Sequence, residues 1–277
     1  MATPRTILIT GCSTGIGYAA AHALRDRGWR VFASCRKQAD CDRLAGEQLE
    51  TVQLDYADAD SISAAVAHVL AATGGQLDAL YNNGSFAHAG AVEDIGRDDL
   101  RTAMEANFIG WWDLTNRVIP VMRRQGAGRI VNCSSVLGLV STPFTGAYNV
   151  TKYAVEAWSD TLRIELLGTG IHVSLIEPGP IRTNFVATSR QRAIDRIDIE
   201  ASAFSHVYKA TLARQADGQH RSPFALGPEA VVRVLVHALE SPNPRSRYRV
   251  TLPAQVTIWL KRFLPTRLMD RILLNAR

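Results

Sequence analysis

The chain has 277 residues, 47% apolar and 21% charged, with a formal net charge of +5. That balance is globular and excludes a disordered, collagen-like or disulfide-scaffolded chain. No apolar run reaches the ~18 residues of a membrane span, and Met1 leads into a short polar stretch and a strand-like run, so neither a spanning helix nor a signal peptide is expected.

In chain order, strand-length apolar runs fall at residues 6–10 (TILIT), 29–34, 51–54, 77–81, 129–133 and 172–176. Their Val, Ile and Leu content suits strands buried on both faces. Helix-length segments alternate with them at 15–27, 61–72, 98–124 and 147–167. Strand alternating with helix predicts a parallel sheet with crossover helices. The expectation is one α/β domain of doubly wound Rossmann type, with about seven strands and helices on both faces. Residues 1–252 would form that domain, and 253–277 a helical extension of it. Cys12, Cys35, Cys41 and Cys133 have no metal spacing and read as free thiols of a reducing, cytoplasmic compartment. The seven histidines are scattered singly, and no metal site is expected.

The first strand runs directly into Thr10-Gly11-Cys12-Ser13-Thr14-Gly15-Ile16-Gly17, which opens the first helix. Glycines there allow a tight turn and close approach of the backbone to a pyrophosphate, while free amides and the helix dipole hold the anion. The second strand ends Ser34-Cys35-Arg36-Lys37. An acid at this point would bind ribose hydroxyls; Arg36 and Lys37 instead suit a 2′-phosphate, so NADP(H) is favoured over NAD(H). Tyr148 and Lys152 are four apart on a predicted helix and share a face. A cation so near a phenol favours its ionised form.

The spacing of this glycine loop resembles that of the short-chain dehydrogenase/reductase family, in its single-domain branch. Asn82-Asn83-Gly84-Ser85 is similar to that family's NNAG, with Gly84 and Ser85 where Ala and Gly would stand. Asn107-Phe108-Ile109-Gly110 resembles its NxxG, Ser135 precedes Tyr148 by thirteen residues, and Tyr148 to Lys152 matches its YxxxK. Pro178-Gly179 with Thr183 resembles its PG…T segment. The pattern with its long tail looks closest to the hydroxysteroid/retinol dehydrogenase-like subgroup. The resemblance implies a catalytic set of Asn107, Ser135, Tyr148 and Lys152. Tyr148 would be the general acid/base, Ser135 would hold the substrate oxygen, and Asn107 would hold a water on Lys152. It also implies cofactor contacts at the glycine loop, Asp55, Asn82, Tyr148, Lys152, Pro178, Gly179, Ile181 and Thr183. Asp55 is equally readable as a plain turn residue.

Residues 184–224 are too long for a mere connection, and the resemblance implies that they form a lid over the substrate, expected to be an apolar carbonyl or alcohol. Phe185, Leu137 and Phe144 are candidates for its pocket, or simply for packing the lid. From residue 245 onward there are eight basic residues and one acid, leaving 23 basic and 25 acidic residues to the rest. Basicity confined to a tail argues against a nucleic-acid-binding body. The tail's two amphipathic pieces would either lie on an anionic membrane or pack beside the cleft or a partner subunit in a homo-oligomer. The rival to an enzyme is a catalytically silent NADP(H)-binding regulatory protein on the same fold.

Overall fold

The computed structural model describes residues 4–216 and 224–275. Seven strands form one sheet: β1 (Thr6–Ile9), β2 (Arg30–Cys35), β3 (Glu50–Gln53), β4 (Ala79–Asn82), β5 (Gly128–Cys133), β6 (Ile171–Pro178) and β7 (Arg247–Val250). Their order is β3-β2-β1-β4-β5-β6-β7, and every pair is parallel. The expected doubly wound sheet is therefore present. Strands β1 and β4 are buried throughout, because helices cover both faces.

The helices are α1 (Gly15–Asp26), α2 (Gln38–Gly46), α3 (Ala59–Ala72), α4 (Arg97–Met104), α5 (Gly110–Gln125), α6 (Gly146–Glu165), α7 (Phe185–Arg196), α8 (Ser205–Ala216), α9 (Glu229–Glu240), α10 (Leu252–Phe263) and α11 (Thr266–Asn275). Helix α1 packs on α9, and α3 packs on α5. The single helix expected over 98–124 is α4 and α5 joined through a π turn, Glu105–Ile109. The core runs without a break from Ile7 and Phe32 to Val231 and Leu235. All four cysteines are buried free thiols.

The chain winds outward from β1 to β3, then crosses back to β4 and winds the other way. That reversal opens a crevice at the carboxyl ends of β1 and β4, where open α/β sheets bind ligands. The glycine loop, Asn82–Ser85, Ser135 and Pro178–Thr183 follow strand ends along this edge, Tyr148 and Lys152 lie near the start of α6, and Asn107 lies in the π turn before α5. Among the described residues no helix is long and apolar enough to cross a membrane.

Candidate active site

The glycine loop is held too closely for side chains. Gly11 has φ +69°, and a Cβ there would stand 2.4 Å from Gly84 Cα. A Cβ on Gly17 would stand 2.3 Å from the Gly11 carbonyl oxygen. The loop thus folds onto the turn after β4 and onto itself. Helix α1 opens beside it with no side-chain cap on Thr14 and no acid in its first turn. An N-terminus left without its own cap suits an anion, and a backbone cradle lined by Gly11, Ser13, Gly15 and Ile16 suits a pyrophosphate. Thr183, from the segment after β6, lies against Gly15, with its methyl 3.2 Å from where a Cβ would be. Thr14, Arg36 and Lys37 are exposed beside the loop. Asp55 Oδ1 accepts the Ala57 N–H at 3.0 Å, so the residue does turn the chain there, with its other oxygen still available.

Under the loop runs a buried polar ladder that the sequence did not announce. Tyr56 donates to Thr10 Oγ1 at 2.6 Å and to Asn82 Oδ1 at 3.2 Å. Asn82 Nδ2 donates to Thr115 at 3.0 Å and to Asn132 Oδ1 at 2.9 Å, and Asn132 Nδ2 donates to Ser159. Any contact of Asn82 with a cofactor would fall to its main chain. Its side chain is fully enclosed, its Nδ2 tying β4 to β5 and α5 and its Oδ1 taken by Tyr56, so it braces the crevice floor. Asn83 Nδ2 instead reaches the Thr10 carbonyl, at 3.0 Å.

Tyr148 and Lys152 lie on the buried face of α6, 7% and 1% exposed. Lys152 Nζ donates to the Cys133 carbonyl at 2.8 Å and sits 4.5 Å from the Trp111 ring centroid and 5.6 Å from that of Tyr148. Trp111 is itself fixed by donating to the Gly84 carbonyl at 2.9 Å. Burial lowers the Lys152 pKa to about 8 against the pull of Cys133 and Glu156. Burial also raises Tyr148, and Cys133 adds to this; hydrogen bonding with Ser135 and with Ser85 acts the other way. Without a further positive charge beside it, burial keeps the phenol above its ordinary value. Ser85, standing where the family pattern has glycine, is a hydroxyl beside Tyr148 that the motif comparison passed over.

Ser135 caps the short 3-10 turn Val136–Gly138, its Oγ accepting the Leu137 N–H at 3.1 Å. Ser134 turns the other way, and its Oγ lies with Glu156 Cγ and the Lys152 carbonyl around Gly138. Asn149, one residue after Tyr148, donates to the carbonyls of Leu137 at 2.7 Å and Val140 at 2.8 Å. It clamps the Ser135 loop onto α6, and nothing in the YxxxK motif marks it. Asn107, in the π turn, accepts the Phe86 N–H at 3.0 Å and donates to the Phe86 carbonyl at 2.7 Å and to Thr151 at 3.3 Å. Its side chain secures the segment after β4, and any relay to Lys152 would fall to its main chain.

The segment expected as a lid carries α7 and α8, joined by turns over 197–204, and residues 217–223 of it lie outside the described residues. Phe185 leans on Tyr148, ring centroids 5.5 Å apart. Phe144 packs edge-on against Phe204 and Tyr208, and Tyr208 donates to Asp94 at 2.7 Å, so α8 is fastened over this corner. Leu137 is half-buried beside Ser135. Ile181 bridges Leu226, and Gly179 donates to the Val250 carbonyl, which closes Pro178 and Gly179 into a turn against β7. Lys261 of α10 donates to the Leu139 carbonyl and, at 2.8 Å, to Tyr153. The tail is thus seated beside the site, while Leu252, Val256, Trp259 and Phe263 face outward. Among the described residues no three His, Cys, Asp or Glu side chains cluster as metal ligands.

A sequence model of the short chain dehydrogenase family matches residues 5–193. The chain is 42% identical over 269 residues to the uncharacterized oxidoreductase YbbO of Escherichia coli strain K12, covering 97% of this chain and 94% of that one. It is 34% identical over 280 residues to human retinol dehydrogenase 16, covering 96% and 87%. The crystal structure of a short chain dehydrogenase/reductase from Burkholderia phymatum, in complex with NAD, has a TM-score of 0.79 at 24% identity over 94% and 93% of the two chains, a likeness of fold.

Proposed function

The chain belongs to the short-chain dehydrogenase family, in its hydroxysteroid/retinol dehydrogenase-like subgroup, and from that premise we propose an NADP(H)-dependent oxidoreductase of an apolar carbonyl/alcohol pair. Membership makes it an enzyme that acts on CH–OH/carbonyl groups with a nicotinamide cofactor. The choice of cofactor, the substrate and the residue roles are the proposal. The observation that carries it is the convergence of Ser135, Tyr148 and Lys152 at the strand ends, beside the glycine cradle and under Phe185.

The cofactor, when bound, supplies or accepts the hydride. Tyr148 gives the proton to the carbonyl oxygen in reduction and takes it from the hydroxyl in oxidation. Ser135 orients that oxygen, and the Asn149 clamp keeps Ser135 in place. Lys152, held between Trp111 and the Cys133 carbonyl, places a cation one turn along; a second positive charge beside Tyr148 would help it overcome the desolvation that raises its pKa. Gly11, Ser13, Thr14, Gly15, Ile16 and Gly17 hold the pyrophosphate. Arg36 and Lys37 hold the 2′-phosphate, and Thr183 with Ile181 and the Pro178-Gly179 turn holds the nicotinamide end. Leu137, Phe144 and Phe185 give the pocket its apolar character. Residues 1–252 make the catalytic domain, with the lid at about 184–224 and the tail as its extension.

Turnover of a panel of aldehydes, ketones, steroids and retinoids with NADPH and with NADH, followed at the nicotinamide absorbance, tests this. Activity favouring NADPH and apolar compounds is expected. Equal efficiency with both cofactors removes the 2′-phosphate assignment, and cofactor binding without turnover on any compound favours the silent regulatory reading. The outward stripe of α10, with Trp259 and Phe263 56% and 70% exposed beside Lys261 and Arg262, supports peripheral contact with anionic lipid. Flotation with anionic vesicles should be lost on truncation after Leu252. Exposed Trp112, Val150 and Tyr153 on α5 and α6 support a homo-oligomer, which light scattering would measure.

A further inference from the structure

Arg192 is a half-buried cation on α7 with no ion-pair partner among the described residues. Among the described residues its Nε is buried with no hydrogen-bond partner. Its guanidinium lies 4.1 Å from the centroid of Phe86, whose backbone is gripped by Asn107. Phe86 lies two residues after Gly84, which packs on Gly11, so the guanidinium stacks on the segment that leads away from the glycine loop's contact. Burial first, then the like charges of Arg36 and Arg196, hold the Arg192 pKa below its ordinary value. Arg196 has a carboxylate within reach, Asp99 at 3.6 Å. Arg192 is carried by α7, and Arg36 follows β2 beside the glycine loop. A partly desolvated guanidinium whose Nε has no acceptor is unfavourable unless an anion reaches it.

We infer that Arg192 is a phosphate ligand carried by the lid, which binds a phosphate group of the dinucleotide across from the glycine cradle. The inference rests on the cofactor reading proposed above. It gives α7 a task separate from substrate shape: seating the lid brings a planar, five-donor group onto the cofactor, so cofactor binding and lid position are linked. Two phosphates share this chemistry, the pyrophosphate, common to both cofactors, and the 2′-phosphate, present in one.

The test is a fluorescence titration of wild type, Arg192→Gln, Arg192→Lys and Arg196→Gln with NADPH and with NADH, without substrate. Loss of a charged hydrogen-bond donor should weaken binding by about tenfold or more in Arg192→Gln. Arg192→Lys, which keeps the charge but not the fork, should fall between. Arg196→Gln should bind as wild type does. Equal weakening for both cofactors identifies the pyrophosphate, and weakening for NADPH alone identifies the 2′-phosphate. Unchanged affinity of Arg192→Gln for both, or an equal loss in Arg196→Gln, overturns the inference. Failure of the wild type to bind either cofactor overturns the cofactor reading instead.

Discussion

At the scale of single residues, burial sets the charges of the site. Tyr148 and Lys152 are both pushed toward their neutral forms by desolvation. Tyr148→Phe should lower turnover by about 10²–10⁴-fold, the usual worth of a positioned acid/base, while the NADPH dissociation constant stays within about twofold. Comparing steady-state rates with a binding titration checks both halves. One turn beyond Lys152, Glu156 is 5% exposed, and burial and Glu177 raise its pKa to about 7 despite Ser134 and Arg247. A carboxyl whose folded pKa is raised keeps its proton while the unfolded chain loses its own. The fold therefore loses stability relative to a neutral side chain as pH rises from about 4.5 to about 7. Glu156→Gln should match wild type in Tm near pH 4 and exceed it by pH 8. A constant difference across that range would contradict this. The residues legible in the sequence were those whose chemistry is fixed by spacing: the glycines, Ser135, Tyr148 and Lys152. Asn149, Asn132 and Trp111 were not legible, since their roles depend on contacts from distant segments.

At the scale of elements, the parallel strands were readable because burial on both faces leaves near-continuous apolar runs. Strand β7 was not located, because it reads Arg247-Tyr248-Arg249-Val250, with arginines alternating along an edge. Their acids are far off in sequence: Arg247 pairs with Glu156, with Glu177 at 2.6 Å and with Asp160 at 2.6 Å, on β6 and α6. Arg247→Met would leave enclosed Glu156 without its cation and enclosed Glu177 with Arg249 alone, and should cost about 3 kcal/mol in urea unfolding. The Asn149 clamp can be tested the same way. Asn149→Ala strips the donor from two carbonyls of the Ser135 loop, one enclosed and one partly so, and should cost about 2 kcal/mol while lowering kcat. A loss of stability with kcat intact would show that the loop holds its shape unaided. The π turn between α4 and α5 was also hidden, since a single extra residue in a turn barely alters an apolar period read over 98–124.

At the scale of the whole molecule, the alternation of segments and the reversal of strand order bring motifs spread over some 170 residues to one edge, so the fold class and the site were legible together. The lid and tail were legible only as amphipathic lengths. Where such helices sit depends on a few polar fastenings, Tyr208 on Asp94 and Lys261 on Leu139 and Tyr153. The second of these has a wider consequence. One ammonium group joins the last part of the chain to the loop bearing Ser135 and to the helix bearing Tyr148. The terminus is thereby wired to the proposed reaction centre, and whatever tugs on it from outside, be it lipid or a neighbouring subunit, pulls on that wire. Removing the tail, or Lys261→Met alone, should raise KM in plain buffer with no lipid present, and kinetics rather than sedimentation would be where the terminus first makes itself felt.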